Sequence, residues 1–217
     1  MIETGVSFND IHSFYDLNLI LSSVTISPAT PKTTYVKVPG RDGTLDLTEA
    51  LGEVKFDDIT IKFVFTVCPG DRMTFEERKS VVANAVNGLN CKVTLDKDPD
   101  YYYEGRCKVD SYAQNGNLKQ ITVSVTARPY KLKHRLTVAS FALTATPQTV
   151  TLENERKTVV PVIECTADNV LVVFNGNDFS LNAGTHKILD ICLTAGKHPV
   201  TLSGSGTIIF TYQEGAL

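Results

Sequence analysis

The feature that most constrains this chain is a strand-like alternation of β-branched and aromatic residues that runs nearly end to end and gives way to a helix only once. In the first half it covers 19–26, 33–38, 59–67, 91–95, 102–109 and 118–127. The last two of these join across Asn115 and Gly116, a dipeptide that accepts the positive φ angles of a tight hairpin. The helical break spans 74–87. Thr74 followed by Glu77 is a capping-box pattern, and Gly88 tolerates the left-handed conformation just past a helix C-terminus. Between these marks Phe75, Val82, Val86 and Leu89 fall on one stripe able to cover a sheet face, which leaves Arg78 and Lys79 for solvent.

A fresh β pattern follows a short connector, 128–136, with the sequence RPYKLKHRL. Pro129 forces the residue before it out of helical geometry, so the connector reads as a boundary between domains 1–130 and 131–217. Beyond it, strands are predicted at 137–143, 149–152, 159–165, 170–174, 187–193, 199–202 and 207–212. Turn clusters at 175–178, 182–184 and 194–198 separate several of them. The predicted class is therefore mainly β: a sandwich-like N-terminal domain with one α-helix, then a small antiparallel β-sandwich.

With 217 residues, 42% of them hydrophobic, the chain can bury a core without disulfides or metal. Its cysteines, at 68, 91, 107, 165 and 192, are odd in number and contain no CxxC pair. That argues against a zinc framework or a secreted disulfide scaffold and predicts free thiols folded in a reducing compartment. The opening MIETGVSFND has no basic or apolar region of a signal peptide, and no apolar run reaches the length of a membrane span. The expectation is a chain neither exported by a signal peptide nor inserted in a membrane. Net charge is −3, with the positive charge concentrated in the connector. Arg128, Lys131, Lys133 and Arg135, interleaved with Tyr130 and His134, superficially form a nucleic-acid platform, yet so few cations between acidic flanks would bind weakly and salt-sensitively. A solvated linker, or a contact with an acidic neighbouring subunit, fits better.

Catalytic patterns fail one by one. Asp96, Asp98 and Asp100 have the alternate spacing of a calcium loop, but Tyr101 stands where the loop needs Gly and Cys107 where it needs Glu. His12, His134, His186 and His198 form no HxxxH pair. Gly196 and Lys197 precede His198 instead of Ser or Thr, and Gly204, Ser205 and Gly206 lack the frame of a nucleophile elbow. Cys91, Cys107, Cys165 and Cys192 lie in strand patterns, where a thiol fills apolar space. Glu164, Asp178 and Asp190 offer carboxylates for hydrolysis, but spacing does not fix their separation. The expectation is no enzyme, no metal and no cofactor: a binding or structural protein.

Specific strings then narrow the choice. VPGRDGTLDLTEAL at 38–51, YEGRCKV at 103–109, ARPYK at 127–131 and FTYQEGAL at 210–217 occur in the order seen in distal tail (Dit) proteins of long-tailed bacteriophages and prophages. The chain resembles that family along nearly its whole length. The opening with Phe8 and His12, the capped helix and the strand pair ending in PYK look like its ring-forming domain. PVIECT, VVFNGNDFSL and SGSGTIIFTYQEG are similar to its galectin-like C-terminal sandwich.

The resemblance implies a hexameric ring at the virion tail tip or baseplate hub, made and assembled in the bacterial host cytoplasm. That ring would join the tail tube protein to the tail-associated lysin or fibre hub, with a receptor-binding protein as a further partner. Read alone, Val38, Pro39, Gly40, Arg41, Asp42 and Gly43 make a plain hairpin, because Pro39 fixes φ while Gly40 and Gly43 permit turn angles. The resemblance adds that this hairpin embraces the adjacent subunit, and it makes Arg128, Pro129, Tyr130 and Lys131 the domain junction. The competing readings are a tail tube subunit, a hydrolase using the carboxylates above, and a carbohydrate-binding module for host-surface saccharide. The last would need Phe174, Phe179 or Tyr212 as its aromatic platform, since the chain has no Trp.

Overall fold

Long alternating strands account for most of the computed structural model, which describes residues 5–50 and 52–217. Residues 1–4 of the opening string and Leu51, the last residue of VPGRDGTLDLTEAL, lie outside the described residues. Strands make up 53% of the chain and helix 6%. Two compact units are present, one ending at Lys131 and one spanning Leu132–Leu217.

The first unit contains β1 (Val6–Phe8), β2 (Ile11–His12), β3 (Leu19–Ile26), β4 (Tyr35–Lys37), β5 (Thr44–Asp46), β6 (Ile59–Val67), α1 (Phe75–Val86), β7 (Asn90–Leu95), β8 (Tyr101–Asn115) and β9 (Leu118–Ala127). Its main sheet is antiparallel in the order β2-β1-β7-β8-β9-β6-β3. Strict alternation along β6 sends Ile59, Ile61, Phe63, Phe65 and Val67 to the core face, where Phe8 meets Phe63 edge-on at 5.7 Å. A bulge between Leu21 and Ser23 shifts the phase of β3, so that Val24 and Ile26, like Leu19 and Leu21, lie on the face that β6 buries. Without it, Ser23 and Thr25 would take those places.

Helix α1 forms where the caps said it would. Thr74 Oγ1 accepts the Glu77 N–H, and the Glu77 carboxylate accepts the Thr74 N–H at 2.8 Å, closing the capping box. Phe75, Val82 and Val86 are buried, but Leu89 lies past the helix end and is 47% exposed. Arg78 also departs from expectation. Its Nε and Nη2 each donate at 2.7 Å to Asp71, in a pair withdrawn almost wholly from water. A forked guanidinium satisfied by both carboxylate oxygens can occupy a buried position that a lone cation could not. The β8–β9 hairpin turns at Gly116 and Asn117, one residue later than predicted: Asn115 pairs with Leu118, and Gly116 carries a φ of 58°. Positive φ at Gly116 but not at Asn117 is the II′ pattern.

β10 (Lys131–Lys133) leads into the second unit, which contains β11 (Thr137–Ala142), β12 (Gln148–Asn154), β13 (Val162–Cys165), β14 (Val170–Phe174), β15 (Asn177–Leu181), β16 (Gly184–His186), β17 (Gly196–Ser203), β18 (Thr207–Tyr212) and β19 (Gly215–Ala216). Two four-stranded sheets, β11-β18-β13-β16 and β12-β17-β14-β15, enclose a separate core that includes Val172, Phe174, Val200, Leu202 and Phe210. Their pairings are antiparallel throughout. β15, which no predicted strand covered, begins inside the predicted turn cluster at 175–178: Asn175 and Gly176, at φ 50° and 80°, make a two-residue hairpin and the strand resumes at once. The strand predicted at 187–193 is not formed. Ile191 and Leu193 are buried there, but the backbone turns, with the Ile191 N–H on the Ile188 carbonyl, and only an isolated bridge from Leu193 to Val159 remains. Burial without a ladder mimics the strand pattern.

Candidate functional site

β3 and β6 pair as far as Ile26 and Ile61, and the chain between them continues outward as a paired excursion instead of closing in a turn. The Ser27 N–H reaches the Thr60 carbonyl, Asp57 N–H that of Thr30, and Lys32 N–H that of Lys55. Further out, Leu47 N–H bonds the Thr34 carbonyl, and β4 pairs with β5 through Tyr35–Asp46, Val36–Leu45 and Lys37–Thr44. The result is an arm tipped by Val38, Pro39, Gly40, Arg41, Asp42 and Gly43. Gly40 and Gly43 adopt φ of 80° and 74°, where a Cβ would be strained although no atom lies near it.

No described side chain of the arm is fully buried, although Ala29 at its base packs partly against the core and Phe56 meets Tyr130. From Ser22 to Asp58 every described side chain is exposed or only half-buried. Tyr35, Val36, Val38 and Leu47 are exposed, and Tyr35 keeps 57% of its surface. An isolated two-stranded ribbon is marginal in water because it has no third layer to bury its apolar side against. Conversely, the hydrogen bonds along its stem hold this ribbon in one paired geometry.

The connector behaves differently from the arm, because three of its four Lys and Arg charges are paired within the chain. Arg128 meets Glu104 at 3.0 Å, and Lys131 meets Asp98 at 2.6 Å while lying over the Tyr101 ring. Lys133 meets Glu155 and Glu214 at 2.9 and 3.1 Å. Burial alone would push the Lys133 ammonium down, but its hydrogen bonds to the two glutamates outweigh that and hold it above the usual Lys range. Tyr130 packs edge-on against Phe56 at 6.0 Å. Cations already paired with carboxylates have little left to offer phosphates.

The remaining candidate residues are not brought together. Asp96 takes the Gly5 N–H at 2.6 Å and His12 Nε2 at 3.2 Å, while Asp98 is held by Lys131. No group of three or more His, Cys, Asp or Glu side chains fit to hold a metal occurs among the described residues. Glu164 and Asp178 point to solvent from opposite sheets of the second unit, and Asp190 lies in the turn before Ile191, so Glu164 and Asp178 cannot flank one bond. All five cysteines are free. Burial, with the neighbouring Cys91, pushes the Cys107 thiol up, and burial does the same to Cys165, which keeps both in the unreactive protonated form. Phe174 and Tyr212 are buried and Phe179 packs against the same core, so none of the three presents the open ring a sugar would stack on.

The signal that sequence reasoning lacked was exposure. Tyr35, Val36 and Val38 read as part of an ordinary strand, and nothing local in them says that no partner covers them.

No family model matches the sequence, and no curated protein matches it. Among solved structures, the chain is similar to the Dit protein of phage SPP1, described as a paradigm of the hub adsorption apparatus in phages infecting Gram-positive bacteria. The match covers 97% of this chain and 98% of that one, with a TM-score of 0.67 and 12% sequence identity. Across both units, then, the polypeptide has the fold of the SPP1 Dit protein.

Proposed function

We propose that this protein is a structural component of a phage tail tip, a hub that forms a hexameric ring between the tail tube and the tail-associated lysin or receptor-binding apparatus. Residues 1–130 are the ring-forming domain and 131–217 a galectin-like sandwich, with Arg128, Pro129, Tyr130 and Lys131 at the junction. The whole-length similarity to a phage hub protein supports the role. The observation that carries it is the arm, which exposes Tyr35, Val36, Val38 and Leu47 and fully buries none of its described side chains in its own chain. A ribbon of this kind gains a core only by docking on another molecule, and head-to-tail docking that closes by rotation makes a ring. The role is mechanical and needs neither catalysis nor a cofactor.

Light scattering on the purified chain, alone and with its tail tube protein, tests the reading. A species of about 140 kDa, six times the 23.8 kDa chain, is expected. Gly40→Val and Gly43→Val, which strain the tip, should lower ring yield more than monomer stability. A chain that stays monomeric in both mixtures overturns the proposal.

A further inference from the structure

In the second unit β11 and β12 are each the last strand of a sheet, and residues of both line a cleft of about 620 Å³. Ala139 and Leu152 contribute apolar lining. Lys133, Lys197, Glu153, Glu155 and Glu214 contribute charge, two cations against three carboxylates. Glu214 is 7% exposed, and the two donors that reach it, Lys133 Nζ and Thr137 Oγ1, both bond Oε1, which leaves Oε2 for a third. Asn154, which also lines the cleft, is 4% exposed. Its Nδ2 donates at 2.8, 2.9 and 2.9 Å to the carbonyls of Lys157, Leu193 and Thr194, residues outside the cleft lining. Those three bonds fix the amide and turn Oδ1 the other way, toward the cleft. That oxygen is buried and accepts no hydrogen bond among the described residues.

We propose that this cleft binds a primary ammonium group carried on a short carbon skeleton. The site is short of donors and of positive charge: one carboxylate is in excess, and a buried acceptor without a partner marks a place where a donor is missing. A lone water would answer the Asn154 oxygen but not the charge, and it would fill only a small part of the volume. An ammonium brings three N–H donors and a unit of charge in one group. The same grip already acts on the chain's own ammonium, since Lys133 Nζ lies 2.9 Å from Glu155 and 3.1 Å from Glu214. Ala139 and Leu152 then take the aliphatic part of the ligand, as apolar surface does for the stem of a lysine. The site lies wholly in the second unit, so it stands apart from the arm and from ring formation. Two sources carry this chemistry, a lysine side chain of another protein and an amino sugar.

Saturation-transfer NMR on the full-length chain tests this, with pentylamine as the probe and pentanol as its uncharged match. Pentylamine should bind saturably in the millimolar range, and pentanol roughly tenfold more weakly. Glu155→Gln should weaken pentylamine about fivefold. Lys133→Met, which removes the chain's own ammonium, should strengthen it about tenfold. Pentylamine should also raise the unfolding midpoint of that variant more than it raises that of wild type. Nα-acetyl-lysine amide and glucosamine then separate the two sources, the tighter binder naming the ligand as protein or saccharide. Three results overturn the proposal: no saturable binding to wild type, equal binding of pentanol, or rescue of Lys133→Met without binding to wild type. The last would mean that Lys133 fills the place by itself.

Discussion

Phe210 in the second unit and Val38 in the first both belong to hairpin-rich β structure, yet Phe210 is fully buried and Val38 is 39% exposed. The second unit encloses its apolar side chains between two sheets of its own, and Val172, Val200 and Leu202 lie with Phe210 in that interior. The first unit also buries Phe8, Phe63 and Phe65, then sends residues 27–58 outward with no described side chain fully buried on the way, only Ala29 at the base packing partly against that core. Similar strand chemistry serves two ends. Where two layers meet inside the chain it gives stability, and where the second layer is missing it leaves a surface that only another molecule can satisfy.

Substitutions can break or sharpen that contrast. The largest loss should come from Phe210→Ala, about 4 kcal/mol, confined to the second unit because the cores are separate. Hydrogen exchange read unit by unit checks it, and equal loss of protection in both units would mean they do not stabilise themselves independently. Next comes Arg78→Ala, which strands the Asp71 carboxylate in a nearly dry site and should cost the first unit about 3 kcal/mol in urea unfolding.

The same pair gives a pH dependence. Hydrogen bonds from Arg78 hold the Asp71 carboxyl below its ordinary value of 3.8. The unfolded chain therefore takes up that proton more readily than the folded one. This contribution is fully present above pH ~4 and is lost as pH falls below it toward the depressed folded value. Urea midpoints at pH 6 and pH 3 should differ less in Arg78→Ala than in wild type.

A smaller effect, about 1 kcal/mol, is expected for Thr74→Ala, which removes the helix cap while leaving the core packing intact. Last are Val36→Ser and Val38→Ser. On the arm these should change monomer stability by less than about 0.5 kcal/mol, as for any exposed site, and yet reduce ring formation in light scattering. A large loss of monomer stability would mean the arm is packed in solution and would dissolve the contrast.

Particular residues show what could be read in advance. The caps Thr74, Glu77 and Gly88 placed α1, because capping is a local hydrogen-bond pattern. Strands 19–26, 59–67 and 118–127 formed with those bounds, since alternation with one buried face is also local. Arg78 was misread because its partner Asp71 is brought to it by the loop ahead of the helix, whereas periodicity sees only the helix itself. The tip residues 38–43 were legible as a turn, but not as the end of an arm, since exposure depends on what fails to arrive from elsewhere.

By itself, then, the sequence determined the β-rich class and the capped helix, both of which follow from short-range spacing and residue chemistry. Only the tertiary structure decided that β6 would be covered on its core face while Val24, Ile26 and the arm would not. The physical reason is that burial belongs to pairs of surfaces. An alternating strand declares which side is apolar, but whether that side meets a layer of its own chain or waits for another is settled by long-range packing.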